Sequence, residues 1–366
     1  MRKLSKLYND VLNESTISGT DYINEIDWEG DFSDVKSSCI KPEDVVDYLN
    51  RVRANAPKHT SDREKFGMNK PFVHAKSKGF NPDETEVDID HFIKSITLPP
   101  NNVVNTNEKI LKSGGPNEYV YKTGLPALRG LVYDIENDKF HYVNTCPGAG
   151  SCAIICYARA GRYIQYPASY DSMTRRLNLL MNYPDKYKDQ MYNELKAKCD
   201  EHGAKVGYKS KVILRWNDSG DFFANKYVKI AEEVMSKLQE EGYNLDSYAY
   251  TKVADVSKDA EFQTTFSQGA NKRETGKVDQ VGQKMSYVVP KEIFKDLDFM
   301  KIADEQELKN RVAKHFQINP SHLLSYDEMM QTPKGSIPKW YVIVTPKSGD
   351  DAAFRKDVKG ILLTQH

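Results

Sequence analysis

Three cysteines fall within eleven residues, in the run Cys146-Pro147-Gly148-Ala149-Gly150-Ser151-Cys152-Ala153-Ile154-Ile155-Cys156. The spacing is C-x5-C-x3-C. Cys152 and Cys156 are four apart, on one face of a starting helix. The Pro-Gly-Ala-Gly loop lets Cys146 fold back over them. A helix N-terminus and a nearby cation both favour thiolate. Three thiolates are one ligand short of a tetrahedral metal site. The chain has five cysteines, an odd number, which argues against a disulfide framework and for a metal site or a reactive thiol. Zinc suits such a set, and so does a 4Fe-4S cluster with one open iron.

The fourth ligand is a matter of topology. An apolar strand, Gly360-Ile361-Leu362-Leu363-Thr364, runs to Gln365 and His366. In a closed parallel barrel the last strand lies beside the first, which would bring His366 to the rim that holds Cys146. The expected metal set is Cys146, Cys152, Cys156 and His366, with His141 as the second choice for the histidine. The plainer alternative makes the cysteines core residues and His366 a tail.

A second constellation follows the run Val212-Ile213-Leu214-Arg215-Trp216. This buried-type strand delivers Asp218, Ser219, Gly220, Asp221 and Phe222 to its C-terminal end, where parallel α/β folds keep their ligands. Two carboxylates three residues apart can divide the work of charged base and hydrogen-bonding partner. The competing reading is an Asx-type turn with Asp221 capping the next helix. A third strand, ending Tyr250-Thr251-Lys252, presents a lysine that could hold a phosphate, with Asp255 just beyond. Arg159 and Arg162, past the cysteines, could bind phosphate in the same way.

The elements that must position these groups alternate. Leu131–Tyr133 and Phe140–Val143 read as short strands around a turn at Asn137-Asp138. Helices are expected to about residue 182, over 185–199 and over 225–241. Strands are expected at 212–216, 247–251, 287–289, 340–345 and 360–364. Strand and helix in alternation argue for an α/β protein with a parallel sheet, here a (β/α) barrel-like (TIM-type) body. Residues 81–120 and 260–285 read as loop-rich. The expected organisation is an N-terminal appendage, with an acidic helix-and-loop segment at 1–50 and a basic arm at 51–120, followed by the barrel-like domain at 121–366.

Charge divides along the chain. Lys+Arg and Asp+Glu are 52 each, so a protein that coats nucleic acid over its whole surface is excluded and any such binding needs a local patch. The first 50 residues carry 5 basic and 11 acidic side chains, and residues 2–14 have the spacing of an amphipathic helix. Residues 51–80 reverse this, with 8 basic against 2 acidic groups and Phe66, Phe72 and Phe80 interleaved. Such a stretch can track a phosphate backbone and stack bases, which makes DNA the expected partner; the competing reading is a solvated arm. No apolar run reaches the roughly 18–20 residues that span a bilayer, and no secretory leader is visible, so no membrane partner and a cytoplasmic location are expected.

With these residues placed, the chain resembles the phage protein family called gene product 88. The resemblance rests on Cys146-Pro147-Gly148-Ala149, Cys152 and Cys156-Tyr157-Ala158, on Ser219-Gly220-Asp221-Phe222, on Tyr250-Thr251-Lys252 and on His366. It covers roughly residues 125–255 and the last few dozen. Where some members carry further cysteines, this chain has Ala352, Ala353 and Phe354. The stretch from Ile213 to Phe222 is also similar to the strand and Asp-Ser-Gly-Gly-Phe turn of tRNA-guanine transglycosylases, whose phage relatives insert 7-deazaguanine bases into DNA. That resemblance implies a barrel, a Cys3His zinc, base exchange and an acid/base role for Asp218, with Asp255 or Asp134 as guesses for the nucleophile. In those enzymes the zinc cysteines follow the Asp-Ser-Gly motif, whereas here they precede it. The order found here is similar to that of radical S-adenosylmethionine enzymes, in which Ser219-Gly220-Asp221 would hold the methionine amine, although their cysteines are spaced C-x3-C-x2-C. A third, non-enzymatic reading is a zinc-stapled nucleic-acid-binding module using the basic arm.

Overall fold

The computed structural model describes residues 30–35, 37–45, 89–111, 113–153, 156, 158, 167–279, 282–298, 301–345 and 352–364. The expected helix at 2–14, the basic stretch at 51–80, Arg159, Arg162 and His366 lie outside the described residues. The chain divides into two compact units, neither continuous in sequence. The first is Met1–Val103, Gly124–Met191 and Ser219–Ile230; the second is Val104–Thr123, Tyr192–Asp218 and Ala231–His366.

A hairpin organises the first unit. β3 (Arg129–Asp134) and β4 (Lys139–Asn144) pair antiparallel, and β1 (Ser37–Ile40) joins the far side of β4, giving the order β1-β4-β3. The turn sits where Asp134 can close it: its Oδ1 accepts the N–H groups of Glu136 at 3.1 Å and Asn137 at 3.2 Å. Asp138 takes the left-handed conformation, φ 54°. Helix α1 (Ile89–Thr97) and, after the short α2 (Glu108–Leu111) of the second unit, helix α3 (Pro167–Asn182) are the neighbours of this hairpin that carry its core. Gly130 lets α3 approach closely, since a Cβ there would stand 2.1 Å from Leu177. On α3, Asn178 accepts the Tyr133 N–H at 2.9 Å and donates to the Leu131 carbonyl at 3.0 Å. One turn on, Asn182 donates to the Tyr133 carbonyl and accepts the Ile135 N–H. Two asparagines thus satisfy the outer edge of β3.

The second unit is built on an eight-stranded sheet, parallel throughout, in the order β2-β5-β6-β7-β8-β11-β10-β9. The strands are β2 (Glu118–Lys122), β5 (Lys211–Trp216), β6 (Leu245–Thr251), β7 (Gln263–Ser267), β8 (Met285–Val289), β9 (Leu323–Ser325), β10 (Trp340–Val344) and β11 (Val358–Thr364). Continuous apolar runs such as Val342-Ile343-Val344 and Ile361-Leu362-Leu363 suit strands covered on both faces. The connecting helices are α4 (Pro184–Glu201), α5 (Asn225–Glu240), α6 (Ala254–Asp259), α7 (Lys272–Gly276), α8 (Lys291–Phe294), α9 (Ile302–Phe316) and α10 (Tyr326–Gln331). On one face Val120, Ile213, Tyr248, Val342 and Ile361 pack with Tyr326 and Met329 of α10 and with Ala352, Ala353 and Phe354. On the other, Val289, Ile343 and Leu362 pack with Leu308 and Val312 of α9. Each fully buried aliphatic side chain of this kind stabilises by about 1.5–3 kcal/mol.

The α/β class and the parallel sheet stand as expected. The order runs from β2 at one end to β9 at the other, and no pairing among the described residues joins these two into a closed barrel. β11 lies inside the sheet, between β8 and β10, because its apolar run needs cover on both faces. Cys146 follows β4, in the antiparallel sheet of the other unit. The last strand therefore does not neighbour the strand before Cys146, and that ground for adding His366 to the cysteines is removed. The stretch expected as loop over 260–285 contains β7 and α7, and 81–120 contains α1, α2 and β2. No helix among the described residues is long and apolar enough to cross a membrane.

Candidate active site at the carboxyl edge of the parallel sheet

β2 and β5 run side by side, with Lys122 in register with Arg215. Beyond their ends the backbone ladder continues: the Thr123 N–H donates to the Arg215 carbonyl at 3.1 Å, and the Asp218 N–H to the Thr123 carbonyl at 2.9 Å. Asn217 makes this possible by taking a left-handed conformation, φ 53°. The result sets the Asp218 carboxylate beside the Lys122 ammonium, which donates to Oδ2 in an ion pair. Asp218 is 5% exposed and the Lys122 side chain 14%. A charge taken this far out of water is tolerated because its partner is fixed on the neighbouring strand.

Other groups share this edge of the second unit. Arg215, paired in register with Lys122 and Tyr248, projects to their face of the sheet. Its guanidinium lies 5.3 Å from the centroid of the Tyr250 ring. Thr265, in register with Tyr250, is on the same face and fully buried. The hydroxyls of Thr123 and Thr265 have no hydrogen-bond partner among the described residues. A carboxylate, two cations, an aromatic ring and two unsatisfied hydroxyls thus gather at the strand ends. Lys252, just past β6, is half-buried.

The remaining residues of the turn belong to the first unit and are held by backbone bonds. Leu125 N–H donates to the Ser219 carbonyl at 2.9 Å, and Asp221 N–H to the Thr145 carbonyl at 2.8 Å. Gly220 has φ 78°, and a Cβ there would stand 2.9 Å from the Leu125 Cβ, so the position requires glycine. The Asp221 Oδ1 accepts the Phe222 N–H at 2.8 Å. The first N–H of α5, on Asn225, donates to Asp34 at 2.7 Å. Phe222 is buried, its ring 5.0 Å from that of Tyr227, which makes it a core residue rather than a substrate-facing one. Burial, followed by the neighbouring Tyr187, pushes the Tyr227 phenol well above its ordinary pKa.

Two further carboxylates have partners of their own. Asp255, in the first turn of α6, is exposed and paired with Lys277 at 2.6 Å. Asp134 holds the hairpin turn. His141 is buried within the hairpin, its Nε2 3.9 Å from Asp134, and burial lowers its pKa despite that carboxylate.

Cys146, Cys152 and Cys156 are each half-buried, and no disulfide joins the five cysteines of the chain. The Leu128 N–H donates to the Cys146 Sγ at 3.3 Å. Cys152 lies in a single 3-10 turn, Ser151–Ala153, in place of the expected start of a helix. Among the described residues no three His, Cys, Asp or Glu side chains meet as a metal-binding group. Cys199 is fully buried, and burial pushes its thiol up to about 12, which makes it unreactive.

Lys122, Thr123 and Thr265 fall outside the motifs above, and Arg215 and Tyr250 stand in quoted runs without a role of their own. A signal for Lys122 exists: Tyr119-Val120-Tyr121-Lys122-Thr123-Gly124 is a β-prone run closed by glycine.

A parallel sheet flanked by helices defines an α/β protein, and the charged pair is a candidate site at the edge where such folds take their ligands. The chain belongs to the Gene product 88 family, whose model matches residues 101–332. That span includes the three cysteines, Lys122, Arg215, Asp218, Tyr250 and Thr265. No curated protein and no solved structure matches the chain.

Proposed function

We propose that this protein is a phage nucleic-acid-modifying enzyme, a base-exchange transglycosylase that places a 7-deazaguanine in DNA with Asp218 as its catalytic carboxylate. The observation that carries the reading is the buried Lys122–Asp218 pair at the carboxyl edge of a parallel sheet. When a base leaves its sugar it takes the bonding electron pair, and positive charge grows at the anomeric carbon. A fixed carboxylate in a water-poor site stabilises that charge. The incoming base then supplies the electron pair that replaces the lost bond and gives up its ring N–H proton, while the departing base takes one up. Lys122 holds the carboxylate in one orientation. Arg215, seated over the Tyr250 ring, can take a backbone phosphate.

A base stacked in a duplex is out of reach, so the substrate is a flipped or single-stranded nucleotide. The basic stretch at 51–80 serves this reading as the clamp on the phosphate backbone. The iron–sulfur reading has less support, since the cysteine loop follows an antiparallel hairpin.

The test is incubation of the full chain with single-stranded and duplex DNA and 7-deazaguanine bases, followed by mass analysis of the nucleosides. Wild type should incorporate the base and Asp218→Asn should not. No incorporation by the wild type on either substrate, or full activity in Asp218→Asn, would overturn the assignment.

A further inference from the structure

The second unit carries a cleft of about 440 Å³ at the opposite end of its sheet from Asp218. Tyr341 and Lys359, each the second residue of its strand, place it at the amino ends of β10 and β11. Asp218 lies past the carboxyl end of β5, so the two sites are separate. The far wall is the turn from α9 into β9, with Phe316 and His322.

The walls are aromatic. Tyr287 and Phe316 lie with ring centroids 5.7 Å apart, tilted by 52°. Tyr341 pairs in register with Gly360, and a Cβ on that glycine would stand 2.4 Å from the Tyr341 ring. The phenol therefore lies across the neighbouring strand, and only glycine leaves it room to do so. Lys339 and Lys359 also line the cleft. Among the described residues neither lysine makes an ion pair with a carboxylate, and no Asp or Glu lines the cleft. Lys339 lies 4.5 Å from the Trp340 ring centroid.

Flat π-faces beside two uncompensated cations select a planar ligand that carries negative charge. The volume suits a single small molecule of that kind. We propose that this cleft binds a nucleotide, with the base against Tyr341 and Tyr287 and the phosphate on Lys339 and Lys359. Base stacking supplies affinity with little sequence preference, and the lysines supply the salt-dependent part. The nucleotide can be free or one unit of a single strand. This binding is independent of any reaction at Asp218.

The full-length chain is titrated with AMP and with a fluorescein-labelled ten-residue thymidine strand, followed by tyrosine and tryptophan fluorescence and by polarisation. The same titrations are run on the double variant Lys339→Glu/Lys359→Glu and on Tyr341→Leu, with melting curves to confirm folding. Wild type should bind at least one probe, and the lysine variant should bind it at least about tenfold more weakly. Displacement of the strand by AMP identifies the free nucleotide as sufficient; a strand that AMP does not displace identifies the chain-borne unit. Should Tyr341→Leu fail to fold, the lysine variant decides. Absence of binding to both probes, or equal binding by wild type and the folded variants, would overturn the proposal.

Discussion

Lys122 and Asp218, 96 residues apart in the chain, meet as an ion pair at the ends of the neighbouring strands β2 and β5. Replacing Asp218 by Asn takes the paired charge away from a largely buried ammonium, and replacing Lys122 by Met takes it away from a buried carboxylate.

Each single substitution should therefore destabilise the protein by about 3–5 kcal/mol. The double variant should lose less than the sum, with a coupling of about 1–3 kcal/mol. Urea unfolding of the four proteins measures this. Strict additivity would mean that the two groups do not act on each other.

His141 gives a pH dependence of known sign. Burial holds its pKa below the ordinary 6.5, opposed by Asp134. Below pH 6.5 the unfolded chain takes up a proton that the folded chain resists. Stability from this group is thus complete above 6.5 and is lost as the pH falls through the lowered folded value. The slope is at most about 1.4 kcal/mol per pH unit. A His141→Gln variant should show a flatter melting temperature than wild type across this range; an unchanged slope would assign it to other groups.

A second buried pair, Arg355 with Asp357, ties down the approach to β11. The Arg355 Nε donates to Asp357 at 2.8 Å, and its guanidinium also bonds the carbonyls of Met329 and Thr332 at the end of α10. Burial alone would raise the Asp357 pKa, but hydrogen bonds from Arg355 and the Gly335 N–H outweigh it and hold the carboxyl below 3.8. This contribution is present above pH 3.8 and disappears as the pH drops through the folded value. Asp357→Asn should cost about 3–5 kcal/mol at neutral pH, read as a lower urea midpoint. A midpoint equal to wild type would contradict the role given to the pair.

Much of the frame was readable from residue patterns, and the exceptions have physical causes. Val212–Trp216 and Ile361–Leu363 announce themselves by continuous apolarity. β7, Gln263-Thr264-Thr265-Phe266-Ser267, does not, because its polar side chains pack among strand ends where hydroxyls are buried. The Asp-Ser-Gly turn was visible through its glycine. Its partner Lys122 was not, because no spacing rule links a lysine to an aspartate brought alongside it by strand order. The topology also separated β11 from the strand before Cys146, which no local pattern could anticipate.

The asparagine pair on α3 has one more effect. A strand at the margin of a sheet ordinarily offers its bare amides to any passing chain and invites intermolecular stacking. With Asn178 and Asn182 already seated on β3, a visiting segment must first dislodge a sixteen-residue helix, so self-association through this margin is blocked from within the fold.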